Sequence, residues 1–363
     1  MGKQDRDAEK IAGIREQLLN WYECNRRDLP WRRNQDPYAV WVSEIMLQQT
    51  RVAVVVERYV VFMQRFPTLV SLALAPEEEV LALWSGLGYY RRARMLHKAA
   101  QFAADQYQGN LPRTAEELRG LPGIGTYTAA AIASIAHGER VAVVDGNVER
   151  VLCRLEGWDT VGGKGSSSIR RKIEELAAQI VCPERPGDSN QALMELGATV
   201  CLPRNPQCLV CPVAGSCRTK GEHKTARRPR MLSREVAHAL CVRTGELAGQ
   251  ANREVLLEQR APFLTVMPGL WELPTLKEAA VPEDELRMTV RHAIMQVNYY
   301  VRIRTVFEDD VNAMTVIGGQ RRWVPLGEAT GMALTGLARK VLTRARLLPA
   351  AALDAIAPET VGT

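Results

Sequence analysis

Four of the chain's eight cysteines fall inside "VCLPRNPQCLVCPVAGSC", residues 200–217, as Cys201, Cys208, Cys211 and Cys217. In a reducing compartment, thiols gathered this closely bind metal. A single zinc ion held by four thiolates usually takes two C-x2-C pairs. Here the pattern is C-x6-C-x2-C-x5-C, and only Cys208 and Cys211 form such a pair. The larger cubane of an iron–sulfur cluster tolerates wider spacing. Spacing alone favours iron–sulfur modestly and leaves zinc, or a pair of structural disulfides, open. Cys24, Cys153, Cys182 and Cys241 are scattered and read as core or surface thiols.

Two further stretches carry chemistry. "LPGIGTYTAAAIAS" (121–134) sets Gly123 and Gly125 before an alanine-rich helix. The glycines allow a tight turn between two helices, and the amides near Thr126 then face outward at a helix N-terminus, where they can receive phosphate. The string resembles a helix-hairpin-helix DNA clamp, which grips backbone and reads no sequence. In "VAVVDGNVERVLCRL" (141–155), Asp145 follows an apolar run and opens a helix. As N-cap, its carboxylate accepts amide hydrogen bonds and feels the positive end of the helix dipole, both of which favour the charged form. An isolated Asp there would read as a plain cap.

The elements that position these residues are mostly helical over 8–220. Ile11, Ile14, Leu18, Leu19 and Tyr22 recur at helical spacing. Asp36 with Pro37 is a well-formed helix start, and Thr68 and Thr114 are further caps, the latter in a capping box with Glu117. Other periodic runs predict helices near 53–65, 91–107, 126–136, 147–156, 167–181 and 189–199. "RTKGEHKTARRPRMLSR" (218–234) breaks the pattern with seven Arg or Lys and one Glu, and reads as a basic linker over 221–233. Beyond it "EVAHALCVRTG", "EVLLEQR", "NYYVRIRTVFE" and "RRWVPL" are strand-like, and 330–348 reads as an amphipathic helix. The second domain, 234–350, is therefore a small mixed α/β unit.

Composition sets outer bounds. The chain has 363 residues, 46% hydrophobic and 24% charged, with net charge +6. That is ordinary globular protein, long enough for two domains, and mildly basic, which permits a nucleic-acid partner. The start, MGKQDRDAEK, has no apolar signal core, and no run approaches a membrane span. A cytoplasmic, intracellular protein is expected, nucleoid-associated through DNA and with no membrane contact.

In their order along 8–220, the hairpin, V-D-G-N-V and the cysteine pattern resemble the endonuclease III superfamily of DNA base-excision glycosylases. The resemblance implies a 4Fe–4S cluster on Cys201, Cys208, Cys211 and Cys217, structural in role and helping to present basic residues to DNA, with the chemistry elsewhere. Relatives that also cut the strand carry a lysine in the hairpin. Tyr127 stands at that position, and tyrosine forms no Schiff base, which implies a monofunctional enzyme. "WVSEIMLQQTRV" (41–52), "RRDLPWR" (26–32) and "GLGYYRRAR" (86–94) resemble the MutY-type adenine DNA glycosylases, which remove adenine mispaired with 8-oxoguanine. Glu44 then matches the general acid. It sits among Trp41, Val42, Ile45, Met46 and Leu47, where burial raises the carboxyl pKa and keeps a proton available. The resemblance further implies that ionised Asp145 stabilises the sugar cation and that Tyr127 and Asn147 line the pocket. Arg27, Leu29, Trp31, Arg32, Val52 and Glu195 hold adenine on the same basis. Gln49, or its neighbour Gln48, and Tyr89, or its neighbour Tyr90, fill or wedge the DNA.

The second domain resembles the Nudix-like domain of that family through "MPGLWELPT" (267–275). The acidic run of a Nudix hydrolase is missing, so pyrophosphatase activity is not expected. Ile294, Met295 and Gln296 stand where a Phe-Ser-His loop reads 8-oxoguanine, and Gln296 alone keeps a polar side-chain reader. The expected partner is double-stranded DNA with an adenine mispair, bound by a monomer. Two readings compete: a thymine glycosylase for thymine:guanine mispairs, and a non-catalytic iron–sulfur DNA-binding protein.

Overall fold

The computed structural model describes residues 3–158, 166–222, 230–247, 250–311, 314 and 319–349. The chain divides into two compact units. One comprises Met1–Leu74 with Met95–Arg227, the other Ala75–Arg94 with Arg228–Thr363.

The first unit is helical: α1 (Lys3–Asn25), α2 (Pro37–Leu47), α3 (Val52–Arg65) and α4 (Leu69–Ala73) precede the division. The chain then runs through α5 (Glu77–Leu83) of the second unit, and α6 (Arg91–Gln106) crosses back. The first unit resumes with α7 (Ala115–Leu118), α8 (Thr126–His137), α9 (Gly146–Glu156), α10 (Ser166–Ile180) and α11 (Pro186–Thr199). The local signals place these helices well. Asp36 caps α2 by accepting from Tyr38 N, with Pro37 at its first position, and Thr68 and Thr114 both close capping boxes.

Helix α2 is buried along almost its whole length, from Tyr38 to Met46. A helix apolar on all faces belongs inside a core, so its lone acid, Glu44, goes inside with it. Helix α8 packs against both α2 and α11, and α11 packs against α1 and α9. Among the described residues of this unit there is no strand, as expected.

The second unit holds two sheets. β1 (Leu232–Leu240) pairs in parallel with β6 (Val297–Thr305), which pairs antiparallel with β5 (Leu286–Ile294). β2 (Val242–Leu247) pairs with β3 (Gln250–Gln259), and β3 pairs with β4 (Trp271–Glu272) and β7 (Arg321–Pro325). Short helices α12 (Glu308–Val311) and α13 (Leu326–Ala329) and the longer α14 (Gly336–Arg344) complete it. Val255, Leu257, Val290, Val301, Val341 and Leu342 belong to one buried core.

Four details differ from the sequence reading. The strand-like run at 235–245 divides at Cys241 into β1 and β2, which lie in different sheets. β5 is an additional strand, its signal diluted by Arg287 and Arg291 on its exposed positions and by half-buried His292. The helix expected over 330–348 is shorter. Thr335 caps it by accepting from Ala338 N, and Leu334 bridges Trp271 as extended chain instead. Residues 75–94, read with the helical domain, group with the second unit, where Tyr90 Oη donates to Leu334 O at 3.0 Å and Arg94 to Pro268 O at 2.7 Å. Most of the basic linker, 223–229, lies outside the described residues. Among the described residues no helix is long and apolar enough to cross a membrane.

Candidate active site

A cavity of about 600 Å³ opens in the first unit. Its wall includes Glu44, Tyr127, Asp145, Asn147, Gln48 and Gln49, together with Arg27, Leu29, Trp31, Arg32, Val52 and Glu195. Residues far apart in sequence thus meet in one hollow, delivered by α2, α8, the start of α9 and α11.

Glu44 is only 4% exposed. Burial is the main influence on its carboxyl and pushes the pKa up to about 7; a hydrogen bond from Tyr127 pulls the other way, and the nearby Asp145 charge adds to the rise. Tyr127 Oη donates to Glu44 Oε2 at 2.6 Å. With that oxygen accepting, the carboxyl proton belongs on Oε1.

Asp145 is the N-cap of α9. Its Oδ1 accepts from the amides of Asn147 (2.9 Å) and Val148 (2.7 Å), and its Oδ2 accepts from Asn147 Nδ2 at 2.9 Å. Every one of these partners is an N–H donor, so both carboxyl oxygens accept at the helix N-terminus. The connector that delivers Asp145 is held by Asn190 of α11, which is fully buried. Asn190 accepts from Val143 N and donates to Val141 O and to Ser134 Oγ.

Glu195 is 1% exposed and lies under two guanidinium groups. Arg27 Nε and Nη2 donate to its two oxygens at 2.6 and 2.9 Å, and Arg32 Nη2 donates at 2.8 Å. Burial alone would raise its carboxyl pKa, but the hydrogen bonds and charges of Arg27 and Arg32 outweigh it and hold the value at about 2. Glu195 is therefore a permanent anion that fixes both arginines at the rim. Leu29 and Trp31 are buried, with the Trp31 ring edge-on to Tyr59.

Gln48 and Gln49 separate in character. Gln48 is half-buried and reaches Thr128 Oγ1, whereas Gln49 is exposed with a positive φ of 56°. Gln49 is the better-presented of the pair. Likewise Tyr90 is buried while Tyr89 is exposed at φ 47°. Gly123, Gly125 and Thr126 lie outside the cavity, exposed at the start of α8. Gly123 has φ 76°, and a Cβ there would come within 2.7 Å of the Met95 side chain, so glycine is required. A Cβ on Gly125 would meet nothing within 4 Å, and α8 has no side-chain cap. The α8 N-terminus is thus bare and approachable. Gln296 and Met295 form the exposed tip of the β5–β6 hairpin, with Met295 at φ 53°.

The four cysteines of the C-terminal loop line one small hollow together with Val151, Arg154 and Leu155 of α9. Burial raises the Cys211 thiol pKa, and the other three sulfurs add to the rise. Among the described residues, no three His, Cys, Asp or Glu side chains are grouped to hold one metal ion. Buried Arg154 donates to Cys201 Sγ at 3.4 Å and to Leu202 O at 2.6 Å. A chain of hydrogen bonds links this structural loop to Asp145. Arg150 Nε donates to Cys201 O (2.9 Å) and its Nη2 to Asn147 Oδ1 (2.8 Å), and Asn147 in turn holds Asp145. Gly197 permits this close approach of α11 to α9, since a Cβ there would lie 2.7 Å from Asn147 Cβ.

Sequence reasoning missed Arg150, Asn190 and Gly197, whose roles arise from long-range packing and leave no local pattern. It also missed Ser43, Ile135, Gln191 and Met194, further residues of the cavity wall.

Residues 42–179 match the HhH-GPD superfamily base excision DNA repair protein model. An adenine DNA glycosylase of Homo sapiens is 40% identical over 349 residues, covering 80% of this chain and 61% of the relative. One of Arabidopsis thaliana is 38% identical over 368 residues, covering 90% and 56% respectively. The chain thus spans roughly three fifths of the length of these curated relatives. Among solved structures, a thermostable thymine-DNA glycosylase is 29% identical with TM-score 0.52, over 58% of this chain and 97% of that one. An endonuclease III from a DNA complex, 24% identical with TM-score 0.50, covers 59% of this chain and 96% of that one and shares the fold.

Proposed function

We propose, on the match of residues 42–179 to the HhH-GPD superfamily base excision DNA repair protein model, that the chain is a monofunctional DNA glycosylase that excises adenine paired with 8-oxoguanine or guanine. The observation that carries the reading is the carboxyl pair. Buried Glu44, hydrogen-bonded by Tyr127, and N–H-bonded Asp145 line one cavity.

Their duties are opposite. An adenine flipped out of the duplex enters the cavity and lies against Leu29, Trp31 and Val52. Glu44 gives its Oε1 proton to N7 of the base. The C1′–N9 bond then breaks, with its electron pair leaving on the purine. Cationic character builds on the sugar, and Asp145 stabilises it or briefly bonds to C1′, as paired carboxyls do in glycoside hydrolysis. Water completes the displacement and releases its proton to a carboxylate of the pair. Arg27 and Arg32, fixed by Glu195, orient the base. The bare α8 N-terminus behind Gly123 and Gly125 suits a DNA phosphate, and Gln49 and Tyr89 fill the stack opposite the extruded base.

Base release from a panel of mispaired duplexes, under single-turnover conditions, tests the reading. Adenine release from 8-oxoguanine:adenine and guanine:adenine duplexes supports it; release from neither defeats it. The thymine-DNA glycosylase likeness keeps a second reading in the panel, and thymine release from thymine:guanine alone would replace the first. Product strands stay intact until alkali or heat is applied, because Tyr127 holds the Schiff-base position. Borohydride trapping of a stoichiometric enzyme–DNA adduct would count against this.

The four thiols that line one hollow, with the C-x6-C-x2-C-x5-C spacing, support a 4Fe–4S cluster on Cys201, Cys208, Cys211 and Cys217. When bound, that group braces the loop and takes no part in the reaction. Iron and labile sulfide are expected at about four each per chain, and Cys208→Ser lowers both, with a loss of DNA affinity. Stoichiometric zinc without iron after anaerobic purification would overturn the assignment.

We assign the second unit, 234–350 by sequence, as a Nudix-like lesion reader. Its hairpin tip offers Met295 and Gln296 where relatives place polar readers. Discrimination is a difference of binding energies, and fewer polar contacts leave a smaller difference. The enzyme therefore acts on both mispairs, with a smaller preference for 8-oxoguanine than the family norm. Ile294→Phe, Met295→Ser and Gln296→His together enlarge it. A strong natural preference that Gln296→Ala does not change would show the lesion to be read elsewhere.

A further inference from the structure

In the turn between α5 and α6 a strained aromatic residue is held up to solvent. Gly86, Gly88 and Tyr89 all have positive φ, at 94°, 68° and 47°. Glycine takes that conformation freely; for tyrosine it is strained. Tyr89 is nonetheless 47% exposed, while its neighbours Trp84, Leu87 and Tyr90 are buried. An exposed ring gains little from burial, so other contacts must hold the strain.

Arg92 supplies them. Its Nη2 donates to Leu87 O at 3.0 Å and to Gly88 O at 3.2 Å, the two carbonyls just before Tyr89. Gly88 O also accepts from Trp84 Nε1 at 3.1 Å. The Arg92 guanidinium carbon lies 5.5 Å from the Trp84 ring centroid and 5.6 Å from that of Tyr89, within cation–π range of both. Burial lowers the Arg92 pKa to about 10, which leaves it charged at neutral pH. A planar guanidinium can bond carbonyls with its edge and meet rings with its faces; an ammonium group cannot do both.

We infer that Arg92 is the positioning residue for Tyr89, fixing the turn and the ring in the attitude from which the ring enters the DNA stack. The inference rests on the glycosylase reading above for what Tyr89 does, but the clamp itself belongs to the free protein.

Arg92→Met, Arg92→Lys, Tyr89→Ala and the double variant Arg92→Met/Tyr89→Ala test it. In the free protein, hydrogen exchange of the 86–92 amides rises in Arg92→Met and Arg92→Lys. On a duplex with 8-oxoguanine opposite non-cleavable 2′-fluoroadenosine, a neighbouring 2-aminopurine brightens less on binding either Arg92 variant than on binding the natural protein. Adenine release slows by up to roughly a hundredfold, the cost of misplacing a positioned group by about 1 Å. The double variant is no slower than Tyr89→Ala, because Arg92 acts through that ring. Natural exchange and fluorescence in Arg92→Lys, or losses that multiply in the double variant, would overturn the inference. Should Arg92→Met fail to fold, Arg92→Lys, which keeps the charge, carries the test. If the natural protein releases no adenine at all, the glycosylase reading falls, and the exchange measurement still judges the clamp.

Discussion

Glu44→Gln and Asp145→Asn each reduce single-turnover adenine release by a factor of roughly a hundred or more, while mispaired DNA is still bound. Glutamine keeps the shape of Glu44 and can still accept from Tyr127 Oη, so the substitution removes little besides the acidic proton. Asparagine at 145 remains a good helix N-cap and can still accept from the amides of Asn147 and Val148. What it loses is the negative charge facing the sugar cation. Both variants are thus nearly isosteric, and loss of rate in a folded protein with natural affinity for uncleavable DNA isolates the chemistry. Near-normal release by either variant would remove that residue from its role.

The second large effect is on pH. The Glu44 carboxyl is active only when protonated, and burial sets its pKa at about 7. Release therefore falls as pH rises through 7, and beyond it by about tenfold per unit, as for one essential acid. Tyr127 donates to Glu44 Oε2 and so lowers that pKa. Tyr127→Phe removes the lowering influence, and the alkaline limb moves to higher pH. Single-turnover rates from pH 6 to 9 on both proteins measure it. A limb that stays put in Tyr127→Phe would mean that another group titrates.

The parts of this site legible in the sequence were those written locally. Asp36 followed by Pro37, and Thr114 followed by Glu117, close their hydrogen bonds within one turn, so their residue types announce them. The cavity residues were legible through long strings resembling a family; without these, Leu29, Trp31 and Val52 would have read as core. What stayed hidden depends on distant partners. Asn190 pins a connector 47 residues away, Arg150 bonds a carbonyl 51 residues on, and Tyr90 bonds one 244 residues on. No window along the chain contains both ends of such bonds. The split at Cys241 was equally invisible, because one continuous β-rich run serves two sheets.

Placing an acid in the middle of a fully apolar helix also has a consequence for the fold itself. Free in the unfolded chain, Glu44 ionises near its ordinary value of 4.5, but in the native protein only at about 7. A carboxyl raised in this way contributes its full stability below pH 4.5 and loses it as pH climbs through 7. In mildly alkaline solution the loss is on the order of 3 kcal/mol, a large share of the few kcal/mol by which domains hold together. The proton donor is therefore a thermodynamic liability kept for its reactivity. An inert Glu44→Gln protein melts higher than the natural one at pH 8, and the two converge in acid. Selection for robustness alone would erase this residue, so its presence marks a trade of durability for turnover.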